Sequence, residues 1–280
     1  MKIFQQTVVL DFEYEIEEGN LPNVLCMVAY VLDQNLQHVR TIRLWRGEFS
    51  REPPFDTGPD TLIVAYSAWA EMTCFLVLGW KFPIHIYDLH TAYLASTNLL
   101  LPYAPEEKRK KPRKRLADAC RAYGIEGWEH IDKAAIAKDI AAGNWHKYGQ
   151  AVVFDYCEED VHKSTQLLRR QLRGNAIFPP VNVARVLSWS KYSAVAVGLI
   201  QARGMPIDMQ LWWAVQENKA VVIGELLRRF DPSHNDDDPI YTPDGEWSYG
   251  RFEQWLIRRG VSAWPRLESG QLDIDSDAFA

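Results

Sequence analysis

Apolar and β-branched residues cluster early in the chain. The run Thr7-Val8-Val9-Leu10-Asp11-Phe12 predicts a buried strand, and residues 25–33 and 39–46, rich in Val, Leu, Ile and aromatics, predict two more. The turn Asp33-Gln34-Asn35 separates the second from the third, so the three form a meander. Residues 49–60 carry Pro53, Pro54, Gly58 and Pro59 and read as loop. Residues 61–66 (Thr-Leu-Ile-Val-Ala-Tyr) predict the next strand, followed by a helix from about Ala68 to Leu78, a short strand at 84–87 and a helix from Leu89. Three sequential strands followed by alternating strand and helix predict an α/β fold built on a mixed sheet.

Helical patterning dominates the remainder. Residues 105–143 read as helical with a basic stretch inside them, and 150–172 as one long helix. Gly174 and Pro179-Pro180 then break the chain, which places a boundary near residue 175 between a domain of residues 1–175 and a smaller, mainly helical region of residues 176–280. Within the latter, 192–203 and 208–230 predict two helices joined by Gly204-Met205-Pro206. Residues 231–245 read as a polar loop, and Phe252, Trp255 and Leu256 have the spacing of an amphipathic helix. The sequence has no internal repeat.

Of the 280 residues 47% are hydrophobic, enough for one large domain and a smaller appendage. The net charge of −6 argues against a uniformly basic nucleic-acid-binding surface, so the placement of charge matters more than its sum. Cys26, Cys74, Cys120 and Cys157 are widely spaced without a CxxC pair, and read as reduced, buried thiols. Met1-Lys2-Ile3-Phe4 lacks the apolar run of a signal peptide, and no apolar stretch reaches the roughly 18 residues of a membrane span. A protein of the cytoplasm, in a bacterium or an infected host, is expected.

Three groups of carboxylates carry candidate chemistry. In Asp11-Phe12-Glu13 the two acids alternate on a strand, so they project from one face while Phe12 faces the other way. Adjacent carboxylates at a buried strand end repel each other and lose solvation, penalties that a divalent cation with a preference for oxygen ligands removes. A strand end frayed into solvent and continued by Glu15, Glu17 and Glu18 fits the same pattern. In Tyr156-Cys157-Glu158-Glu159-Asp160, Tyr156 and Asp160 stand i and i+4 on a helix and share a face at the edge of its core stripe. A core tyrosine beside a solvated acidic patch is the plainer reading. Glu71, in Tyr66-Ser67-Ala68-Trp69-Ala70-Glu71, falls in the first turns of a helix, where the dipole favours a carboxylate whether or not it has a further role.

In their order along the chain (strand DxE, strand-to-helix acid, late-helix YxxxD) these groups resemble the DEDD exonucleases of the tyrosine subclass, found in family A DNA polymerases and in ribonuclease D. The resemblance is greatest to the N-terminal half of phage-type family A polymerases. Asp88 stands where that family often has an Asp before a helix. Tyr156-Cys157-Glu158-Glu159-Asp160-Val161 resembles its YCxxDV, and Gln201-Ala202-Arg203-Gly204-Met205-Pro206-Ile207-Asp208 resembles the segment that follows its exonuclease. Residues 243–275, with Phe252, Leu256, Gly260, Trp264-Pro265 and Gly270, resemble the stretch leading to the palm, whereas no palm or fingers motif is present. A chain that does not polymerise is therefore expected, either cut from a longer polymerase or a stand-alone relative.

The resemblance implies a ribonuclease-H-like mixed sheet flanked by helices and a 3′→5′ exonuclease using two Mg²⁺ or Mn²⁺ ions. Asp11 would contact both metals, Glu13 and Asp160 would hold the one that activates water, and Glu71 would help the second. Tyr156 would orient the water rather than deprotonate it, since a phenol with a pKa near 10 is a poor base at neutral pH. The products would be nucleoside 5′-monophosphates. The second motif departs from the family's Asn-x-x-x-Asp: here it is Ser67-x-x-x-Glu71, which moves the charge by about one methylene and replaces an amide near the substrate by a hydroxyl.

Residues 108–115 read Lys-Arg-Lys-Lys-Pro-Arg-Lys-Arg, seven basic residues in eight. Lys108, Arg109, Lys110, Lys111, Arg113, Lys114 and Arg115 are candidate phosphate contacts with a steep salt dependence, and Pro112 makes the run a loop leading into a helix. A solvated loop without a partner is the alternative. Some of the eleven tryptophans could stack on unpaired bases, although Trp212 and Trp213, adjacent on a helix, cannot both face one site. The expected partner is single-stranded DNA or a frayed 3′ end, with a polymerase domain in any longer parent chain and no membrane. Two other readings remain open: a nucleic-acid-binding scaffold with a degenerate metal site, and an exoribonuclease.

Overall fold

A computed structural model describes residues 4–17, 20–98, 115–127, 133–204, 206–242 and 244–274. The chain divides into two compact units, Met1–Met205 and Pro206–Ala280.

In the first unit, β1 (Gln6–Glu15), β2 (Asn23–Asp33), β3 (His38–Trp45), β4 (Thr61–Ala65) and β5 (Ile86–Asp88) form one sheet in the order β3-β2-β1-β4-β5. β1, β2 and β3 pair antiparallel, while β4 and β5 join in parallel. This is the mixed ribonuclease-H-like sheet expected from three sequential strands and two strand–helix units. β1 is longer than its apolar core suggests. Its acidic end keeps pairing with β2 through Glu15, with a register shift between Glu13 and Tyr14, whereas its pairing with β4 runs only from Gln6 to Val9. Asp11 and Glu13 therefore stand beyond the last β1–β4 pair, at the carboxyl end of the parallel strands.

Two cores flank the sheet. On one face, Val9, Val28 and Val64 pack against α2 (Leu89–Asn98), α3 (Leu116–Ala122), α4 (Lys133–Ala141) and α5 (Gln150–Arg173) through Ala92, Ala119, Cys120, Ile140, Val153 and Val161. On the other, Val8, Leu10, Phe12 and Ile63 pack against Met72 and Phe75 of α1 (Trp69–Val77) and Ala194 of α6 (Val183–Arg203). Alternation along β1 thus sends Phe12 into an aromatic group with Phe49, Phe75 and Trp80, and the acids to the α5 face.

The structure differs from the sequence expectation in three places. Of the helical stretch 105–143, residues 105–114 and 128–132 lie outside the described residues; in the remainder α3 ends at Ala122, Gly124 adopts a left-handed conformation (φ 69°), and residues 124–127 are not helical. The first compact unit extends past residue 175 to Met205, because the chain turns at Gly174, the Asn182 side chain caps α6, and that helix buries Val186, Ser190, Ala194 and Gly198. Gly198 lets α6 approach α1 closely, since a Cβ there would lie 3.2 Å from the Trp69 carbonyl oxygen. The expected helix 208–230 is two, α7 (Met209–Glu217) and α8 (Lys219–Phe230), parted at Asn218.

In the second unit, α9 (Tyr249–Arg258) buries Phe252 and Leu256 in a small core with Ile240 and Leu272. The polar loop before it is ordered by Asp231, whose Oδ1 accepts from the Ser233 amide and hydroxyl. No helix among the described residues is long and apolar enough to cross a membrane.

Candidate active site

Three elements converge beyond the β1–β4 pairing: β1 supplies Asp11 and Glu13, α1 supplies Glu71, and α5 supplies Tyr156 and Asp160. Ser67 stands in the β4–α1 turn. One ligand atom from each of Asp11, Glu13 and Cys157 lies within 4.8 Å of the others. Cys157, which the sequence reads as a buried thiol, is fully buried and donates its thiol hydrogen to the main-chain oxygen of Asp11 (3.4 Å) and to Asp11 Oδ2 (3.5 Å). Its helical neighbours carry the two functional positions: Tyr156 precedes it and Asp160 follows by one turn, so the contact fixes α5 against β1.

Electrostatics report the same convergence. Burial pushes the Glu13 carboxyl well above the usual range, and the neighbouring charges of Asp11 and Asp160 push it further. Glu71 reaches the group from the helix on the opposite face of the sheet. It is 4% exposed, and burial together with the charge of Asp11 raises it as well. Its Oε2 has no hydrogen-bond partner. Two like charges about 4 Å apart at an effective dielectric of about 20 cost about 4 kcal/mol, so such carboxylates do not all ionise without a counter-charge. The phenol of Tyr156 is pushed far up, first by burial and then by Glu13, Asp160 and Asp11; it keeps its proton and remains a hydrogen-bond donor.

Ser67 occupies a strained turn. Its φ is 60°, a left-handed value that disfavours a residue with a Cβ. The turn is held by Asp88, whose Oδ1 accepts from the amides of Ser67 (3.0 Å) and His90 (2.9 Å), while Oδ2 accepts from the Thr91 hydroxyl (2.9 Å). Asp88 is thus committed to capping α2 and fastening the second motif. Ser67 Oγ lies 3.5 Å from His90 Nδ1.

The other acids near the motifs are tied to structure. Glu158 accepts from Tyr30 and pairs with Arg43, so it is not part of a solvated patch. Glu15 is not part of an acidic loop: it accepts from Trp145 Nε1 (2.6 Å) and Asn23 Nδ2 (2.8 Å) and pairs with Arg46. Of the basic run, Lys108, Arg109, Lys110, Lys111, Arg113 and Lys114 lie outside the described residues, and Arg115 is exposed at the start of α3. Trp212 and Trp213 are both exposed on α7, in the second unit. The four cysteines are buried, and none is in a disulfide.

The donor set suits a hard divalent cation, because two of its three ligand atoms are carboxylate oxygens, and Glu71, which feels the Asp11 charge, has a buried oxygen without a partner. Asp11 and Glu13 present it from one strand, with Glu71 and Asp160 beside them. The single thiol does not make the group a zinc site, which would need more nitrogen or sulfur donors.

No family model matches the chain. No curated protein matches it either. Among solved structures, an RNase D from Trypanosoma brucei is similar with a TM-score of 0.48 at 14% identity, over 72% of this chain and 67% of that one. Escherichia coli Exonuclease I in complex with a dA16 oligonucleotide is similar with a TM-score of 0.31 at 12% identity, over 92% of this chain and 91% of that one. An ExoI/SSB-Ct complex gives 0.31 at 15%, over 55% of this chain and 43% of that one. Likenesses of this size assign no activity.

Proposed function

We propose that the protein is a metal-dependent 3′→5′ exonuclease that removes nucleoside 5′-monophosphates from single-stranded DNA. The observation that carries the reading is the close approach of Asp11 and Glu13, whose ligand atoms lie within 4.8 Å of each other and of the Cys157 thiol, with Asp160 adding its charge to Glu13 and with Asp11 acting on Glu71, a buried carboxylate that keeps one oxygen without a partner. Gathered carboxylates of this kind are relieved either by retained protons or by a cation, and oxygen donors are what a hard divalent cation takes. Mg²⁺ or Mn²⁺, two ions in the full site, would supply electrostatic stabilisation of the attacking and leaving oxygens and lower the pKa of water.

The chain's own groups do the remainder. Asp11, Glu13, Glu71 and Asp160 hold the cations. Tyr156 donates its hydroxyl hydrogen and orients the attacking water, a role that suits a phenol whose proton is retained. Ser67 borders the substrate from the β4–α1 turn. The basic residues of 108–115 draw in the strand. The preference for DNA, the tyrosine-subclass relationship and a polymerase domain as neighbour in a longer parent rest on the sequence resemblance, above all of residues 201–208. The reading implies action in the cytoplasm of a bacterium or a phage-infected host.

Ser67 and Glu71 favour one competing reading, a nucleic-acid-binding scaffold whose metal site has lapsed. Digestion of a 5′-labelled single-stranded oligonucleotide in Mg²⁺, Mn²⁺ or EDTA, beside Asp11→Ala, separates the two. A metal-dependent ladder shortening from the 3′ end, absent in the variant, supports the exonuclease. Binding without cleavage supports the scaffold. Matched DNA and RNA oligonucleotides in the same assay decide the substrate class.

A further inference from the structure

A second polar cavity, of about 390 Å³, opens on the same unit away from the carboxylates. Its walls are residues 124–126 on one side and Gln166, Arg169, Arg170 and Arg173 of α5 on the other. The spacing from Gln166 to Arg173 places these side chains on one stripe of the helix. Arg170 and Arg173 are exposed, and Arg169 is held by a 2.7 Å hydrogen bond from its Nη2 to the Leu36 carbonyl. Among the described residues no carboxylate pairs with any of the three, whereas Arg43, Arg46 and Arg121 of the same unit each pair with one. Glu126 is the one acid in the lining. Lys163, buried beneath, donates to the Glu126 carbonyl and holds the loop against the helix.

In a chain of net charge −6, three arginines that line one open polar cavity, none in an ion pair among the described residues, outnumber the single acid of its lining and suit an anion. Guanidinium groups suit phosphate, which they contact in pairs. We infer that this cavity binds backbone phosphates of a single-stranded nucleic acid several nucleotides from the end that reaches the carboxylates. Asp160 and Arg170 are ten residues apart on α5, about 15 Å along the axis and roughly a quarter turn around it; Arg173 is about 20 Å away. For a strand that keeps its bases stacked at the roughly 3.4 Å rise of B-form DNA this is a distance of about four to six nucleotides. The basic run 108–115 ends at the start of α3, and α3 leads directly to the cavity loop, so the two basic features lie on consecutive segments.

The inference concerns binding and stands whether or not the carboxylates cleave. The test is fluorescence anisotropy of 5′-labelled deoxythymidine oligonucleotides, about 4 and about 16 nucleotides long by the spacing above, on the full chain in EDTA over a range of salt. Arg170→Ala/Arg173→Ala should bind the longer oligonucleotide about tenfold more weakly, with a salt slope shallower by about 1.4, and leave the shorter one unchanged. Arg170→Lys/Arg173→Lys should restore most of the slope. Equal affinity and slope for parent and variant on the longer oligonucleotide would overturn the inference, as would equal losses at both lengths or a parent that binds both lengths alike. Full competition by millimolar inorganic phosphate would show a site for the free ion and overturn the strand assignment. A parent that binds as expected and never cleaves would sink the exonuclease reading alone.

Discussion

The thiol of Cys157 lies 3.4 Å from the main-chain oxygen of Asp11 and 3.5 Å from its Oδ2, so the helix that carries Tyr156 and Asp160 is hydrogen-bonded to the strand that carries Asp11 and Glu13. The contact does for geometry what periodicity cannot: it sets the distance between two pairs of residues 146 positions apart. Cys157→Ala should cost about 1 kcal/mol in urea unfolding. It should also lower kcat more than it raises KM, because the carboxylates lose register. Cys157→Ser, which keeps a donor, should retain more of both. Equal kcat in the parent and the alanine variant would deny the contact a positioning role.

Asp11→Asn and Asp160→Asn should each reduce exonuclease activity by at least about 10²–10³-fold, the scale of losing one group that balances charge at a reacting phosphate. Each should also raise the melting temperature in EDTA, since a repelling charge is gone. Activity close to the parent's in Asp11→Asn would displace the assigned site.

Tyr156→Phe should fold normally, because the ring still packs, and should lose about one to two powers of ten in kcat through a misplaced water. Its rate should follow the same pH dependence as the parent's, since a phenol pushed upward by burial and by Glu13 does not titrate near neutrality. A new inflection near neutral pH in the parent, absent from the variant, would make Tyr156 the base instead.

Glu13 and Glu71 predict a pH-dependent stability in the absence of metal. Both carboxyls are raised above the ordinary value of 4.5, chiefly by burial, so the folded state holds protons that the unfolded state releases. Their contribution is fully present below that value and is lost as pH rises through the raised folded values. Melting temperature in EDTA should therefore fall as pH rises above the ordinary carboxyl value of 4.5. Millimolar Mn²⁺ should flatten the dependence by binding the ionised form, and Glu71→Gln should flatten it in EDTA. An identical profile for parent and Glu71→Gln would mean that Glu71 carries no proton.

The left-handed turn at Ser67 is the place where local chemistry opposes the fold. Ser67→Asn should be as stable as the parent or more so, since an asparagine tolerates φ near 60° and stands where the resembled family has one. Ser67→Val should destabilise by about 1–2 kcal/mol. Thermal unfolding of the two variants checks both, and cleavage by Ser67→Asn at or above the parent rate would show that the hydroxyl adds nothing the amide lacks.

Short-range patterning was legible in the sequence. The alternation that puts Asp11 and Glu13 on one face and Phe12 on the other, the i, i+4 pairing of Tyr156 with Asp160, and the mixed sheet implied by three strands and two strand–helix units all follow from repeats of two and 3.6 residues, which depend only on the backbone. Tertiary structure decided what those repeats do not encode. It brought Glu71 around the end of β4 to Asp11 from the far face of the sheet, and set the Cys157 thiol on Asp11. Small buried residues, including Gly198 against α1, drew α6 into the first unit, across a proline-marked break that reads as a boundary. The arginines of α5 gathered around a cavity only because α3 ends beside them. Contacts between residues far apart in sequence depend on how whole faces pack, and packing selects shape and burial that no single segment carries.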